Sequence, residues 1–507
     1  MRVFDLLTVA LLAAALAAAL GRSTRSRAWA AALLAGAVGS CAVHLGVEHS
    51  RWQMYPAYVV LAVSLIATVL LSWKRIGDRF AQRRRIGVAL VVSGAIVLSL
   101  SVLASSAFPM LELPAPSGPY AVGTTQFHFV DASRPEMHTA NPVDVRELMV
   151  RVWYPATADT SNKVAPYLPH AGQIAEAVNK ERWPLGLVLS HLGLVPTHAF
   201  IDAPLSTRAS AYPVLVFSHG LGVGYSGQNT VLLEELASRG YVIFSIDHAY
   251  DGLASVFPDG RVTTFVADAY DAKDVEPSAE LQRDAEHLMN SQNTPQLLDM
   301  LHRLMREQPK DQQLSRYWTD VWSKDQGFVI DQIERLQRAE LPSIFAGHLQ
   351  VDRLGVFGMS FGGSATAVTC AIDWRCKAGI NIDGFRAAAI ENPPQRSPFM
   401  YFANGLISLN IIFLDRDVND RFFLQVKGSA HYDYTDIPYF ARLVKLTSAG
   451  GSIDTRRMLA LTNTYVGAFF DRYLAGKSVP VLNGASADYP EVQLKARAAS
   501  EGHPSGA

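Results

Sequence analysis

Hydrophobic residues are concentrated near the start of the 507-residue chain. Three apolar runs of 20, 19 and 23 residues contain no Asp, Glu, Lys or Arg: Ala28–Val47, Tyr55–Trp73 and Ile86–Phe108. Each predicts a transmembrane helix, because a helix needs roughly 20 apolar residues to cross a bilayer. A shorter run, Leu6–Leu20, is interpreted either as a span extended by Val3 and Phe4 or as a signal-peptide core. The pattern predicts a bundle of about four transmembrane helices over residues 1–108.

Basic residues are unevenly distributed between these runs. They cluster between the first and second runs and between the third and fourth: Arg22, Arg25, Arg27, Lys74, Arg75, Arg79, Arg83, Arg84 and Arg85. The other loop has only Arg51, close to Glu48. Because loops rich in Lys and Arg stay in the cytoplasm, all residues after Phe108 are predicted to be extracytoplasmic. We therefore expect a multi-pass protein of the cell membrane, the inner membrane in a bacterium.

A proline-rich linker over residues 109–122 separates this region from the rest of the chain. Beyond it, alternating or continuous apolar runs predict strands at Thr124–Val130, Glu147–Trp153, Val214–Phe217, Val242–Ile246, Leu354–Phe357, Ala378–Ile382, Phe399–Ala403 and Phe422–Val426. Helical patterns lie between several of them, at Thr230–Arg239, Phe328–Arg338, Phe361–Ala371 and Thr455–Leu474. This alternation predicts a mostly parallel, doubly wound α/β sheet over residues 123–476, followed by a tail, 477–507.

Two insertions interrupt the alternation. Asp268–Ser323 is polar and charged, and is interpreted as a helical cap over a pocket or as a solvated excursion. Trp183–Leu205 is rich in Leu, Val, Pro and His. Three interpretations of this segment are open: it lines an acyl pocket, it contacts the bilayer, or it packs on the sheet.

Composition narrows the functional classes. The net charge of −1 gives no general attraction to nucleic acid. The three cysteines lie outside any zinc-binding pattern, so we expect no metal and no cofactor. Cys370 and Cys376 flank a predicted helix-to-strand loop and either pair in an oxidising compartment or stay as buried thiols. Cys41 and His44 lie inside a predicted span and are interpreted as structural.

The candidate nucleophile is Ser360, in the sequence Gly358-Met359-Ser360-Phe361-Gly362. A G-x-S-x-G pattern is common, but here it lies between a predicted buried strand and a helix of small residues. Strand, tight turn and helix form the nucleophile elbow, in which the glycines allow the sharp turn and the serine hydroxyl projects into a cleft. The helix N-terminus there favours developing negative charge.

A serine hydroxyl needs a base and a buried acid to become a nucleophile. Only His431 and His503 follow Ser360, and His503 lies in the Gly/Pro/Ser-rich tail, so His431 is the predicted base. It follows a predicted strand, where ligands meet such sheets. Asp383, at the end of another strand, is the preferred acid. Its rivals lie in a charged stretch: Asp415, Asp417 and Asp420.

A glycine-rich turn, Ser218-His219-Gly220-Leu221-Gly222, follows the strand Val214–Phe217. Backbone N–H groups in such a turn stabilise the oxyanion together with the residue after the nucleophile. We therefore predict that the Leu221 and Phe361 amides form an oxyanion hole, with Gly220 and Gly222 shaping the loop. His219 is interpreted as a loop-shaping residue. Asp247, His248 and Asp251 follow the next predicted strand, Val242–Ile246, and are alternatively interpreted as a metal site, although two carboxylates and one His form a weak metal-binding pattern.

Six segments together resemble the plasma-type (group II) platelet-activating-factor acetylhydrolases, a branch of the α/β hydrolases. They are LMVRVWYP (Leu148–Pro155), PVLVFSHGLG (Pro213–Gly222), LASRGYVIFSIDH (Leu236–His248), GMSFGG (Gly358–Gly363), CKAGINID (Cys376–Asp383) and KGSAH (Lys427–His431). The resemblance implies an α/β-hydrolase fold, a triad of Ser360, Asp383 and His431, and hydrolysis of short or oxidised sn-2 acyl groups of phospholipids. The chain departs from the family in its N-terminal spans, and in Met359, where a His often precedes the serine.

The sequence therefore predicts a membrane-anchored, extracytoplasmic serine esterase acting on lipid-like esters. A general carboxylesterase, polyester hydrolase or peptidase with the same triad is the nearest alternative. A membrane sensor or transporter whose hydrolase-like domain only binds is a second alternative, although a pure binder needs no activated serine. Partners are a lipid or small ester and the membrane.

Overall fold

The computed structural model describes residues 2–21, 23–72, 84–110, 112–157, 163–267, 309–385, 394–404, 410 and 419–498. The helices in these ranges are α1 (Val3–Ala19), α2 (Thr24–Val43), α3 (Tyr55–Ser72), α4 (Arg84–Ala107), α5 (Ala171–Glu181), α6 (Leu185–Leu189), α7 (Thr230–Ser238), α8 (Pro309–Gln337), α9 (Phe361–Ile372), α10 (Ile437–Phe440) and α11 (Thr455–Tyr473). The strands are β1 (Ala121–Pro135), β2 (Val145–Ala156), β3 (Val164–Pro166), β4 (Pro196–Ile201), β5 (Tyr212–Ser218), β6 (Val242–His248), β7 (Ala254–Val256), β8 (Val262–Thr264), β9 (Leu349–Met359), β10 (Ala378–Ile382), β11 (Phe399–Ala403), β12 (Arg421–Val426) and β13 (Val492–Arg497). Several sequence predictions lie outside the described residues: Asp415, Asp417, His503, and most of Lys74–Arg85 and of Asp268–Ser323.

The N-terminal helices coincide with the apolar runs, and residues 2–108 are called the membrane module below. By length and composition, Thr24–Glu48, Trp52–Leu70 and Arg85–Ala107 are each able to cross a membrane. α1 is apolar too, but it has only 17 residues. Length and composition therefore identify three candidate spans, where the sequence predicted about four.

Buried polar side chains connect the helices of the membrane module. Arg51 donates a hydrogen bond to Asp5. His44 Nδ1 lies 2.9 Å from Glu48 Oε2 and 3.2 Å from Asp5 Oδ1, and its Nε2 lies 2.6 Å from Tyr58 Oη. A buried charge is costly unless it is paired. These contacts therefore fix α1, α2 and α3 in one arrangement.

The membrane module contacts the rest of the chain at one end. Arg2 Nη2 donates to the carbonyl oxygen of Leu194 at 3.1 Å. The ring of Trp52, which packs edge-on against Phe108 at the end of the module, also packs edge-on against His191, with a centroid distance of 6.3 Å. Leu194 and His191 belong to the 3₁₀ turn that follows α6. The segment Leu185–Leu194 thus lies directly beside the module.

In the described part of the chain, eleven strands form one sheet in the order β13-β12-β11-β10-β9-β5-β6-β2-β1-β4-β3. The central strands β12, β11, β10, β9, β5 and β6 are parallel, and β2 and β13 join them antiparallel on either side. Because the carboxyl ends of parallel strands meet at one edge, the loops after β5, β6, β9 and β10 converge there. This edge carries the candidate site.

The core lies on both faces of the sheet. Side chains of β5 alternate, so that Val214 and Val216 pack on the face covered by α8 and Leu215 and Phe217 on the face covered by α7 and α11. Continuous apolar runs in the central strands follow from this double coverage, since both faces are buried.

The predicted α/β fold is confirmed, and each of the eight predicted strands lies within an observed strand. Several elements were not predicted. Among them, β4 lies in the insertion Trp183–Leu205 and pairs parallel with β1, and β13 lies in residues taken as a tail and pairs with β12. The helix predicted at Phe328–Arg338 is longer than expected, because α8 starts within the Asp268–Ser323 insertion and continues to Gln337.

Cys370 and Cys376 form a disulfide between the end of α9 and the turn before β10. The sequence left this pairing open. Cys41 is a free, buried thiol in α2.

Candidate active site

Ser360 lies in the turn between β9 and α9, with φ 55° and ψ −122°. A side-chain-bearing residue rarely adopts a positive φ, and such strain persists only where surrounding structure enforces it. Here the Ser360 N–H donates to the carbonyl of Ile382 at 2.7 Å. A Cβ atom on Gly358 would lie 2.3 Å from the carbonyl carbon of Gly362, and one on Gly362 would lie 2.2 Å from the Ser218 oxygen. The two glycines thus permit the close approach that the elbow needs.

The structure brings Ser360, His431 and Asp383 into one hydrogen-bonded chain. Ser360 Oγ lies 3.0 Å from His431 Nε2, and His431 Nδ1 lies 2.6 Å from Asp383 Oδ2. The imidazole edge is open, because the His431 side chain is 37% exposed while that of Asp383 is 1% exposed. A buried acid, an oriented imidazole and an accessible hydroxyl are the geometry of an acyl-transfer site.

Asp383 is held by the sheet. It follows β10 with φ 53°, and its N–H donates to the carbonyl of Phe402 in β11 at 3.0 Å. Burial raises the pKa of the Asp383 carboxyl, and the hydrogen bond from His431 opposes that rise. The rival Asp420 precedes β12, at the opposite edge of the sheet, and accepts a hydrogen bond from Tyr473.

The oxyanion loop, Ser218–Gly222, lies against the elbow. The Gly362 N–H donates to the carbonyl of His219 at 3.1 Å, and a Cβ on Gly220 would lie 3.2 Å from Ser360 Cβ. Gly222 has φ +82°, and its N–H donates to the carbonyl of Asp251 at 2.9 Å. Leu221 therefore lies between two fixed glycines beside the nucleophile, and the roles of the Leu221 and Phe361 amides stay a prediction.

His219 is buried beneath this loop. Its Nδ1 lies 2.8 Å from the carbonyl of Gly220, and its Nε2 accepts the N–H of His248 at 3.2 Å. Because a carbonyl only accepts and a backbone N–H only donates, the ring is neutral with its proton on Nδ1. Burial, with a smaller contribution from His248, lowers the pKa of His219 to about 3. A charged form is thus absent near neutral pH.

Gln228 is a residue that the sequence did not single out. Its Oε1 accepts the N–H of Gly220 at 2.7 Å, and its Nε2 donates to Met359 Sδ at 3.3 Å. One side chain therefore connects the oxyanion loop to the residue before the nucleophile. No pattern marks it, because its partners lie far apart in the sequence, in the loop after β5 and at the end of β9.

The predicted metal alternative after β6 does not form a common site. Asp247 accepts hydrogen bonds from Ser226, whereas the His248 ring contacts Asp325 and the Asp251 carboxylate contacts Arg146. Each group is used by a different partner.

Asp5, His44 and Glu48 in the membrane module are grouped so that one potential ligand atom from each lies within 4.8 Å of the others. The guanidinium of Arg51 donates to Asp5 in the same place. Because the positive charge of Arg51 already compensates the negative charge of Asp5, this group is better described as an ion-pair cluster than as a metal site.

Comparison with known proteins places this geometry in a family. The family described as platelet-activating factor acetylhydrolase, isoform II, matches residues 105–479. A platelet-activating factor acetylhydrolase of Cavia porcellus is 24% identical over 387 residues, covering 74% of this chain and 80% of the relative. A probable 1-alkyl-2-acetylglycerophosphocholine esterase of Arthroderma benhamiae is 24% identical, covering 80% of this chain and 99% of the relative.

Among solved structures, a ferulic acid esterase from Streptomyces cinnamoneus superposes with a TM-score of 0.56 at 25% identity, covering 76% of this chain and 99% of that one. An α/β fold, an esterase neighbour and a family match across most of the chain agree with one another. The expected ester-hydrolysing activity is therefore confirmed at the level of the serine hydrolases, and the chain belongs to the platelet-activating factor acetylhydrolase, isoform II, family.

Proposed function

We propose that this ester hydrolase is anchored in a membrane with its catalytic domain outside the cytoplasm. We further propose that it removes short or oxidised acyl groups from phospholipid-like esters. The observation that carries the chemistry is the hydrogen-bonded chain Ser360–His431–Asp383 with an exposed imidazole edge. The names of the relatives support the substrate class.

In the proposed reaction, Ser360 is the nucleophile and His431 the general base. His431 Nδ1–H donates to Asp383, which leaves Nε2 free to accept the Ser360 proton as Oγ attacks the ester carbonyl. The protonated imidazole then gives that proton to the leaving alcohol. Water, deprotonated by the same nitrogen, hydrolyses the acyl-serine and regenerates the hydroxyl.

The tetrahedral intermediate carries a negative oxygen that needs fixed donors. We assign these to the amides of Leu221 and Phe361, which lie in the oxyanion loop and at the first position of α9. Removing one such donor typically costs about 3 kcal/mol of transition-state stabilisation. The helix N-terminus at Phe361 favours the same charge.

Two observations support the proposed side of the membrane. The loops at Arg22–Arg27 and Lys74–Arg85 carry the positive charge, and such loops face the cytoplasm. The Cys370–Cys376 disulfide is typical of an oxidising compartment. Both agree with a catalytic domain that follows an outward-directed last span.

The membrane module supports a lipid substrate. Its contacts with Leu194 and His191 lie at the end where the chain leaves α4. The catalytic domain is thereby tethered beside the bilayer, where the local concentration of lipid esters is high. The segment Leu185–Leu194, next to the module, contributes apolar side chains to that side of the domain.

The test is lipid turnover in membranes that contain either the wild-type chain or Ser360→Ala. We expect phospholipids with short or oxidised sn-2 chains to be depleted only by the wild type, with release of the free acid and the lysophospholipid. Equal turnover by both proteins would refute Ser360 as nucleophile. Turnover of soluble p-nitrophenyl acetate without any lipid turnover would refute the substrate class alone.

A small aromatic ester is the second candidate substrate, because the ferulic acid esterase is structurally similar over 99% of its length. Parallel assays with methyl ferulate and with short-chain phosphatidylcholine separate the two. Labelling of Ser360 by a fluorophosphonate probe, lost in Ser360→Ala, tests nucleophile activation independently of substrate.

A further inference from the structure

The described residues contain a second Ser–His–Asp set, at Ser218, His248 and Asp325. His248 Nε2 lies 2.9 Å from Ser218 Oγ, and His248 Nδ1 lies 2.8 Å from Asp325 Oδ2. These distances resemble those of Ser360, His431 and Asp383. Unlike that set, all three residues are completely buried. Substrate has no access to this second serine, so it needs a different explanation.

The direction of the hydrogen bonds is fixed by Asp325. Its carboxylate receives Arg146 Nη2 at 2.7 Å and lies 2.8 Å from Arg134 Nη2, which keeps it ionised. An ionised carboxylate only accepts, so His248 carries a proton on Nδ1. Burial lowers the pKa of His248, so the ring is neutral and its Nε2 accepts a hydrogen bond from the Ser218 hydroxyl. Ser218 Oγ in turn accepts from Gln326 Nε2 at 2.9 Å.

This set lies directly behind the oxyanion loop. The backbone N–H of His248 donates to His219 Nε2, and His219 Nδ1–H donates to the carbonyl of Gly220. Ser218 is itself the first residue of the loop. Asp325 in α8 is therefore connected to Gly220, one residue before the predicted donor Leu221, through the side chain and backbone of His248 and the ring of His219.

The C-terminal end of the oxyanion loop, at Gly222, is anchored by residues that also contact α8 and Arg146. The Gly222 N–H donates to the carbonyl of Asp251. The Asp251 carboxylate receives Trp322 Nε1 at 2.9 Å and Arg146 Nη2 at 3.3 Å. Arg146 thus contacts both carboxylates, and α8 supplies anchors for both ends of the loop.

We propose that Ser218, His248 and Asp325 are positioning residues that hold the oxyanion loop in its catalytic shape. They take no part in bond making. The proposal rests on the proposed function, because it assumes that Leu221 stabilises the oxyanion. The role of this buried set depends on the direction of its hydrogen bonds and not on the nucleophilicity of Ser218.

The test uses Ser218→Ala, which removes the hydroxyl, and Asp325→Asn, which keeps the volume of the side chain but removes the charge. With p-nitrophenyl acetate, we expect kcat to fall by about 10-fold or more while KM stays within about twofold, because a displaced donor weakens only the transition state. Affinity for a trifluoromethyl ketone, which forms a tetrahedral adduct on Ser360, should fall in parallel with kcat/KM.

Ser238→Ala is the matched control. Ser238 is also fully buried, and its hydroxyl bonds the carbonyl of Glu235 and the N–H of Gly118, away from the site. We expect its kcat and ketone affinity to equal those of the wild type, even if it loses thermal stability.

The proposal is overturned if folded Ser218→Ala keeps both kcat and ketone affinity within twofold of the wild type. Ser218→Ala decides the question if Asp325→Asn does not fold. Wild-type activity in Ser360→Ala would instead refute the proposed function, so the two failures are distinguishable. Fluorophosphonate labelling that persists in Ser360→Ala and disappears in the double variant with Ser218→Ala would show that Ser218 itself reacts, and would also overturn the proposal.

Discussion

The turn that holds Ser360 at a positive φ requires glycine at positions 358 and 362. At Gly358 a methyl group would lie 2.3 Å from the Gly362 backbone, and the backbone has no flexible end that could move away. Gly358→Ala should therefore open the turn and separate Ser360 from His431. We expect hydrolysis of p-nitrophenyl acetate to be nearly lost, with a destabilisation of about 1–3 kcal/mol, measured by thermal unfolding.

Gly327→Ala provides the control for this change. Gly327 lies inside α8 with nothing within 4 Å of the position of a Cβ atom. Alanine there should leave activity unchanged and raise stability by up to about 1 kcal/mol. Equal activity losses in the two variants would contradict the steric explanation.

The identity of the acid is also decided by one residue. Asp383→Asn keeps the shape but offers a donor as well as an acceptor, so His431 is no longer held with its proton on Nδ1. By analogy with other Ser–His–Asp triads, we expect kcat to fall by roughly 10⁴-fold. Asp420→Asn, at the other edge of the sheet, should remain active; the reverse result would reassign the acid.

At the level of elements, α10 begins next to a buried carboxyl whose protonation affects stability. Burial raises the pKa of Asp436 to about 8, although the Val231 N–H and the Tyr167 hydroxyl oppose the rise. Between pH 4 and 8 the folded chain keeps this proton while the unfolded chain loses it. The free energy of unfolding therefore falls as pH rises through this window, by up to about 1.4 kcal/mol per pH unit from this group.

Asp436→Asn removes that titration while keeping a neutral side chain of the same size. We expect the Tm of the detergent-solubilised variant to decline less than that of the wild type between pH 6 and pH 8, a range bounded by the raised pKa values of Asp247 and Asp436. Asp247 is already ionised over most of this range, so it does not obscure the difference. Parallel Tm curves would contradict a neutral Asp436.

The central strands that the sequence predicted well share one property. Central strands such as Ala378–Ile382 and Phe399–Ala403 are buried on both faces, so hydrophobicity alone marks their ends. β13 reads VQLKAR and is half exposed, and its pairing with β12 depends on contacts across some 70 residues of sequence. Local patterns carry little information about such edge strands.

Local sequence patterns were equally limited in predicting the residues of the active site. Ser360, Asp383 and His431 were predicted because each follows a strand and the chain order of the fold is known. Ser218, His248 and Asp325 were not predicted as a set, since Asp325 lies on a helix 77 residues after His248. Periodicity identifies α8 as a helix but does not indicate which sheet edge its polar residues reach.

On the scale of the whole molecule, the disulfide provides a test of topology. The chain has three cysteines, and Cys41 is the free one. If the catalytic domain lies outside the cytoplasm, denatured protein purified without reductant should take up one alkyl group, and three after reduction, as read by mass spectrometry. Three groups without reduction would indicate a reducing compartment and a reversed orientation.

β13 has a practical consequence for anyone who expresses this protein. Truncation at Gly476, where the sequence suggested that the domain ends, would remove β13 and leave the hydrogen-bonding edge of β12 uncovered. An exposed, apolar edge strand is a template for pairing with other chains. We expect the truncated protein to aggregate in detergent, as seen by light scattering, whereas a chain ending at Ala498 should stay monodisperse. Equal behaviour of the two would mean that the last strand does not protect the sheet against self-association.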